Sequence, residues 1–463
     1  MQAMHFQRRS SQLALACLLF PLALAAQQAS LIPALQRIQE SALKSDYGYT
    51  RLDHLCNQIG PRMAGSPQAA AAVEYVAEQF RQLGLEVSLE ATQVPHWVRG
   101  QESGELVVYP DMVPGSSQKV VLTALGGSVP APPAGITAPL VVVNDFDELQ
   151  KLGKDVAGKI VLFNVKFDDK LAEIGFSYDA YLQVVRYRVM GASKAAELGA
   201  AASLLRSIGP SGHRLAHTGS VRYFGDKKIP AAAIAAEDAD LIARLAAQGP
   251  VSMHLLLTPE ILPEARSYNV IADLKGSEHP EKIVIVSAHL DSWDLGTGAL
   301  DNGVGIAAVL QAAQVLHQLA LRPRNTLRFI AWMNEENGGS GYTTYIEEHR
   351  SEFGNHIAEI EMDNGTLHPA GYIAYADDKL IEALSPLQPL LRRMSSGVVR
   401  KSPSAMSDLD EFMPGFGPLT DNRGYYDYHH TAADTFDKID PKGLQENSAV
   451  LALLGYALAE VDK

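Results

Sequence analysis

Cysteine is almost missing from this chain: 463 residues hold two, Cys17 and Cys56. Cys17 falls inside an N-terminal apolar run, so a chain trimmed of that run keeps one thiol and no internal disulfide. Cys56, between Leu55 and Ile59, is expected to be a small buried hydrophobe and not a nucleophile. Runs of lysine or arginine are absent too, and the formal net charge is -14. That balance disfavours nucleic acid, whose phosphates need a basic face. An apolar stretch long enough to span a membrane is also lacking: LALACLLFPLALA holds 13 residues and is interrupted by Pro21, against the roughly 20 a spanning helix needs. No G-x-S-x-G elbow surrounds Ser340 in GGSGY, so a serine hydrolase lacks its signature.

The N-terminus has a positive logic of its own. Arg8 and Arg9 precede the apolar run, and Ala23-Leu24-Ala25 offers small residues at a cleavage spacing. We expect residues 1–25 to be a signal peptide and the remaining chain to be exported, secreted or periplasmic. Cleavage after Ala25 removes two arginines and takes the charge from -14 to -16. A lipid-anchored reading through Cys17 is disfavoured because the run continues well past it.

Composition is globular, with 47% apolar and 20% charged residues, and the length exceeds one ordinary core. AAAVEYVAEQFRQLG has helical periodicity and ends on Gly84; LEVSLEATQV then alternates like a strand. From about 120 to 262 the chain changes character, with the Pro/Gly-rich SVPAPPAGITAPLVVV, the strand GKIVLFNV and further strand–helix pairs. We read 120–262 as an inserted domain, and 26–119 with 263–463 as the main one. SYNVIADLKG and EKIVIVSAHL resume long strands, followed by a helix from Gly303, strands LRFIAWM and IAEIEMD, and helices near 341–350, 379–395 and 441–460. Such alternation predicts an α/β fold: a mostly parallel, mixed sheet flanked by helices. Ligands of such sheets bind at the carboxyl ends of the strands.

Acids and imidazoles gather at those ends. His289 and Asp291 follow the first strand, Asp301 lies in the next loop, Glu335 and Glu336 follow LRFIAWM, Asp363 follows IAEIEM, and His430 lies in YYDYHHTAADT. Taken singly, each has a plainer reading as a turn, cap or solvated charge. Jointly they follow three largely apolar strands on the edge where active sites lie, and the set can hold two zinc ions. GVGIAA (303–308) resembles a dinucleotide fingerprint, but the preceding strand ends near Ala288, too far away for it.

VSAHLDSWDLGTGALDNG, LRPRNTLRFIAWMNEENGG, EMDNGT and YYDYHHTAADT together resemble the motif series of the di-zinc exopeptidases, the family of bacterial aminopeptidases and glutamate carboxypeptidases. The likeness runs from about Leu52 to the C-terminus and is strongest to the carboxypeptidase Q branch, including IGPRMAGS and the GITAPLVVV and GKIVLFNV of a protease-associated domain. It implies two Zn2+ per chain, a peptide substrate and a homodimer. By position it makes His289 and Asp363 ligands of one ion, Glu336 and His430 ligands of the other, and Asp301 the bridge. Glu335 becomes the general base, and Asp291 the residue that orients His289 through its carboxylate. The Asp301-Asn302 peptide is expected to be cis. His429, Tyr426, Arg423 and Asp408, with Tyr425, are candidate substrate contacts. The inserted domain is expected to give no metal ligand, His213 and His217 having no carboxylate nearby in sequence. Two other readings remain open: a non-catalytic binding protein on the same fold, and a single-zinc cyclising acyltransferase. Which end of a peptide is held is not written in these motifs.

Overall fold

The computed structural model describes residues 31–462 apart from 364 and 366. The expected signal peptide, with Cys17, lies outside the described residues. Cys56 is buried and unpaired, and burial pushes its thiol up to about 11.

Two eight-stranded sheets organise the chain. The first runs, in spatial order, Glu86–Val98, Glu260–Leu274, Asn325–Trp332, His279–His289, His356–Glu361, Gly415–Thr420, Pro369–Tyr375 and Val398–Lys401. Its centre is parallel: His279–His289 pairs in parallel with Asn325–Trp332 on one side and His356–Glu361 on the other. The long antiparallel ribbon of Glu86–Val98 with Glu260–Leu274 closes one edge. The sheet is therefore mixed, as expected.

The period of two in IVIVSAH explains how both faces are covered. Val284, Val286 and Ala288 enter the large core beneath the helices Val304–Gln318 and Pro441–Ala459, whereas Ile283 and Ile285 join Ile330, Trp332, Tyr342 and Tyr345 on the opposite face. Because both faces are buried, the inner stretches IVIVSA and FIAW of the two central strands carry no charge. Against the expectation from sequence, one helical stretch among the described residues, Ala299–Gln318, is apolar and long enough to cross a membrane, but it is almost wholly buried inside the protein and so is core.

The second sheet uses strands between Glu102 and Leu257, with Ile136–Val143, Ile160–Phe163, Ala202–Arg206 and Ala231–Ile234 as its parallel centre. Val161 and Phe163 face the helix Ser177–Glu197; Ile160 and Leu162 face Ala236–Ala246. The helix expected over 379–395 is instead Asp378–Ala383 and Gln388–Arg393, parted by a 3-10 turn at Ser385–Leu387. Pro386 and Pro389 account for the break, since each lacks the amide that a continuous helix would use.

Candidate active site

Strand register brings the sequence-predicted ligands together. His289 is the last residue of its strand and pairs with Trp332, so the neighbouring chain reaches Glu335 and Glu336 three and four residues later. On the other side Ser287 pairs with Glu361, which places Asp363 just past that strand end. Asp301 enters from the loop before Val304–Gln318, across a cis Asp301-Asn302 peptide, as expected.

Asp301 is the centre of the cluster. Its Oδ1 lies 3.1 Å from His289 Nε2 and its Oδ2 lies 3.1 Å from His430 Nε2. His289 Nε2 is also 3.3 Å from Asp363 Oδ1, and His430 Nε2 is 3.0 Å from Glu336 Oε2. The far ring nitrogens are tied down. His289 donates its Nδ1–H to the Asp291 carbonyl at 3.0 Å, and His430 donates its own to the Thr218 carbonyl at 3.3 Å. A carbonyl can only accept, so each Nδ1 carries its proton and each Nε2 is the atom left to face the carboxylates.

Asp291 differs from the expectation. Its carboxylate is 3.9 Å from His289 Nδ1, and the backbone carbonyl of the same residue takes the ring N–H. The carboxylate instead accepts the backbone amides of Glu335 at 3.0 Å and Glu336 at 3.3 Å. It thus fixes the turn that aims both glutamates. The reason is geometric: two residues past the ring, the main chain already occupies the position beside Nδ1.

The donor set fits a metal. Three carboxylates and two imidazoles converge, and among the described residues no lysine or arginine forms an ion pair with Asp301, Glu336 or Asp363. Glu336 Oε1 is buried without a hydrogen-bond partner, and Asp363 Oδ1 meets only the His289 ring. Uncompensated buried carboxylates are costly, and a divalent cation with N/O ligands removes that cost. Burial and the adjacent Asp363 and Glu336 push Glu335 up to about 8.

Two residues that sequence reasoning left without a role hold the cluster in place. Arg62, from IGPRMAGS, is fully buried and donates to the carbonyls of Leu290, Gly60, Thr297 and Gly298. Asp434, the acid of HTAADT, accepts the amides of Leu300 and Asp301. Both lie in motifs already singled out, and that was the signal available.

A cavity of about 470 Å³ opens on the cluster, lined by Glu335, Asp363, Tyr178, Tyr181, Tyr425 and His429 among others. It continues into one of about 820 Å³ that reaches Asp408. His429 stacks on His430 with centroids 3.6 Å apart and brings Nε2 to 3.5 Å from Asp301 Oδ2. Tyr426 is buried against Tyr181 and His429. Arg423 lines neither cavity: its side chain is exposed and paired with Asp421, two residues away, which holds it outside. His213 does have a carboxylate near, Asp427 at 3.7 Å, contributed by a segment distant in sequence. His217 is buried beside Gly209, and burial pushes it down to about 3, a neutral packing role.

The profile of peptidase family M28 matches residues 269–454. Carboxypeptidase Q from Bos taurus is 36% identical over 421 residues, covering 90% of this chain and 86% of that protein. A peptidase M28 precursor from Shewanella amazonensis superposes with a TM-score of 0.86 at 35% identity, over 94% of this chain and 98% of the other. An aminopeptidase from Aneurinibacillus sp. strain AM-1 shares the fold, with a TM-score of 0.61 at 24% identity over 90% and 94% of the two chains.

Proposed function

The chain belongs to peptidase family M28, and we propose that it is an exported di-zinc exopeptidase acting on dipeptides or short peptides. As a carboxypeptidase Q-like member it is a zinc metallopeptidase, with peptides as substrates. The observation that carries the two-ion reading is Asp301, whose two oxygens face two different imidazoles. His289 and Asp363 would hold one ion and Glu336 and His430 the other, with Asp301 shared between them.

When bound, the ions supply Lewis acidity, which polarises the scissile carbonyl and acidifies a water. Glu335 takes the proton of the attacking water and passes it to the leaving amine nitrogen. Its amide, held by Asp291, keeps it turned into the cavity beside Glu336. Tyr178 and Tyr181 wall the cavity from the second-sheet side. The inserted protease-associated domain, expected over 120–262, also takes the second-sheet strands from Glu102, the chain on either side forms the catalytic domain, and the insertion caps the cleft against long chains. Residues 1–25 direct export, and the mature protein works as a homodimer.

Metal analysis of the purified mature chain tests the centre. Close to two zinc ions per chain, with release of free amino acids from dipeptides and no internal cleavage of a ten-residue peptide, is the expected result. One ion or none, or efficient internal cleavage, would overturn it.

A further inference from the structure

A third and much smaller cavity touches the carboxylate cluster. Asp301, Glu336 and His430 line it together with Trp293, Thr431 and Asp434, and it offers about 10 Å³ to water, room for a single molecule. Most of the polar atoms around it are already partnered. The Thr431 hydroxyl donates to the Tyr428 carbonyl at 2.7 Å, and Asp434 accepts the amides of Leu300 and Asp301. Asp301 turns its oxygens to His289 and His430, and the other nitrogen of His430 meets Thr218. Among the described residues of this lining, two buried side-chain atoms have no protein partner: Trp293 Nε1 and Glu336 Oε1. One is a donor and the other an acceptor.

Packing holds the indole in place. Trp293 is 4% exposed and belongs to the hydrophobic core of the second sheet, yet its ring also meets the His430 imidazole edge on, with centroids 5.8 Å apart. Gly126 lies against the benzene edge of the indole, where a Cβ would overlap the ring. The ring is thus fixed between the second sheet and the cluster, and its one polar atom is left for the small cavity. It lines neither of the two larger cavities, so it does not face the substrate. Glu336 directs its Oε2 to within 3.0 Å of His430 Nε2, which makes Oε1 the oxygen the cluster does not use. Leaving either buried atom unsatisfied is costly, and one water between them serves both: it accepts from the indole N–H and donates to the carboxylate.

We propose that Trp293 is a positioning residue for Glu336: its indole N–H, through one buried water, holds Oε1 so that Oε2 stays turned to the metal position beside His430. This rests on the reading of Glu336 as a zinc ligand and extends it. A ligating carboxylate is steadied when its second oxygen is itself hydrogen-bonded, because the donor fixes the rotation of the group. The core of the second sheet then reaches the metal centre through a single N–H.

The test removes the N–H and keeps the ring. Trp293 is replaced by 3-benzothienylalanine, in which sulfur stands where the indole carries N–H, and in parallel by 7-azatryptophan, which keeps both the N–H and the shape. Trp293→Phe is made alongside. Zinc affinity of the full chain is read by stepwise competition with a chelator. The benzothienylalanine and Phe variants should bind one of the two ions about 10- to 100-fold more weakly than wild type, the range for losing a partner behind a metal ligand. The azatryptophan variant should match wild type. Wild-type affinity in the benzothienylalanine variant, with loss in Trp293→Phe alone, would assign the effect to ring volume and overturn the proposal. Equal losses in the azatryptophan and benzothienylalanine variants would overturn it as well. A second arm involves no substitution: a crystal structure of the zinc-loaded wild type should show one water within hydrogen-bond distance of both Trp293 Nε1 and Glu336 Oε1, and a dry cavity would refute the bridge. Fewer than two zinc ions in the wild type counts against the two-ion reading, whereas two ions held equally well without the N–H counts against Trp293.

Discussion

Asp434 holds the backbone of Asp301: its Oδ2 accepts the Asp301 amide at 3.1 Å while its Oδ1 accepts the Leu300 amide at 2.6 Å. Asp301 can therefore keep both of its own oxygens for the imidazoles. In Asp434→Asn one acceptor becomes an amide NH2 that meets a backbone N–H head on. We expect a loss of about 2–3 kcal/mol in stability and weaker zinc retention, read by calorimetry and by metal content after dialysis. Zinc retention equal to wild type would show that Asp301 does not depend on this clamp.

Glu335→Gln should keep zinc and lose about 10²- to 10⁴-fold in kcat, because the amide cannot take a proton while Glu336 still offers its carboxylate to the cluster. Metal content and rate are measured on the same preparation. A rate above about a tenth of wild type would end the assignment of Glu335 as the base.

Arg62→Lys should destabilise the chain by about 3 kcal/mol or more. One ammonium cannot reach the carbonyls of Leu290, Gly60, Thr297 and Gly298 that the guanidinium spans. Denaturant midpoints of zinc-saturated protein give the reading. An unchanged midpoint would mean that the loop holds itself.

His356 makes stability depend on pH away from the centre. Its Nε2 accepts from the Tyr345 hydroxyl at 2.8 Å, its Nδ1–H donates to the Glu352 carbonyl at 3.1 Å, and burial pushes it down to about 4. The unfolded chain protonates this ring near 6.5, so its contribution is complete above that pH and is lost as pH falls toward 4. The difference in unfolding free energy between wild type and His356→Gln should shrink by about 2–3 kcal/mol between pH 7 and pH 4.5. A difference constant over that range would contradict the burial of a neutral ring.

His289, Glu336 and Asp363 were legible in sequence because each follows a largely apolar run that reads as a covered strand, and those three strands lie side by side. What the sequence hid was distance and direction. Arg188 meets His430 across 242 positions, and nothing in YRVM marks the arginine as facing a cavity. Arg423 neighbours Tyr425 in the chain, yet Asp421 holds it outward. Asp291 has the residue type to orient His289, but its carbonyl reaches the ring first and its carboxylate is left for the amides of the next strand end. A single helix over 379–395 would run through two prolines whose effect on the backbone outweighs the apolar pattern.

His430 and Thr218 exchange hydrogen bonds in both directions, amide to carbonyl at 2.9 Å and ring Nδ1–H to carbonyl at 3.3 Å. Thr218 belongs to the segment of the second sheet, His430 to the first, so the seam between the two layers passes through a residue proposed to hold zinc. Metal affinity and closure of that seam are then linked quantities, and each must change the other by the same factor. A substitution at the seam that never approaches the ions will read out as weaker metal binding. A chelator will read out as faster hydrogen exchange at the Thr218 amide.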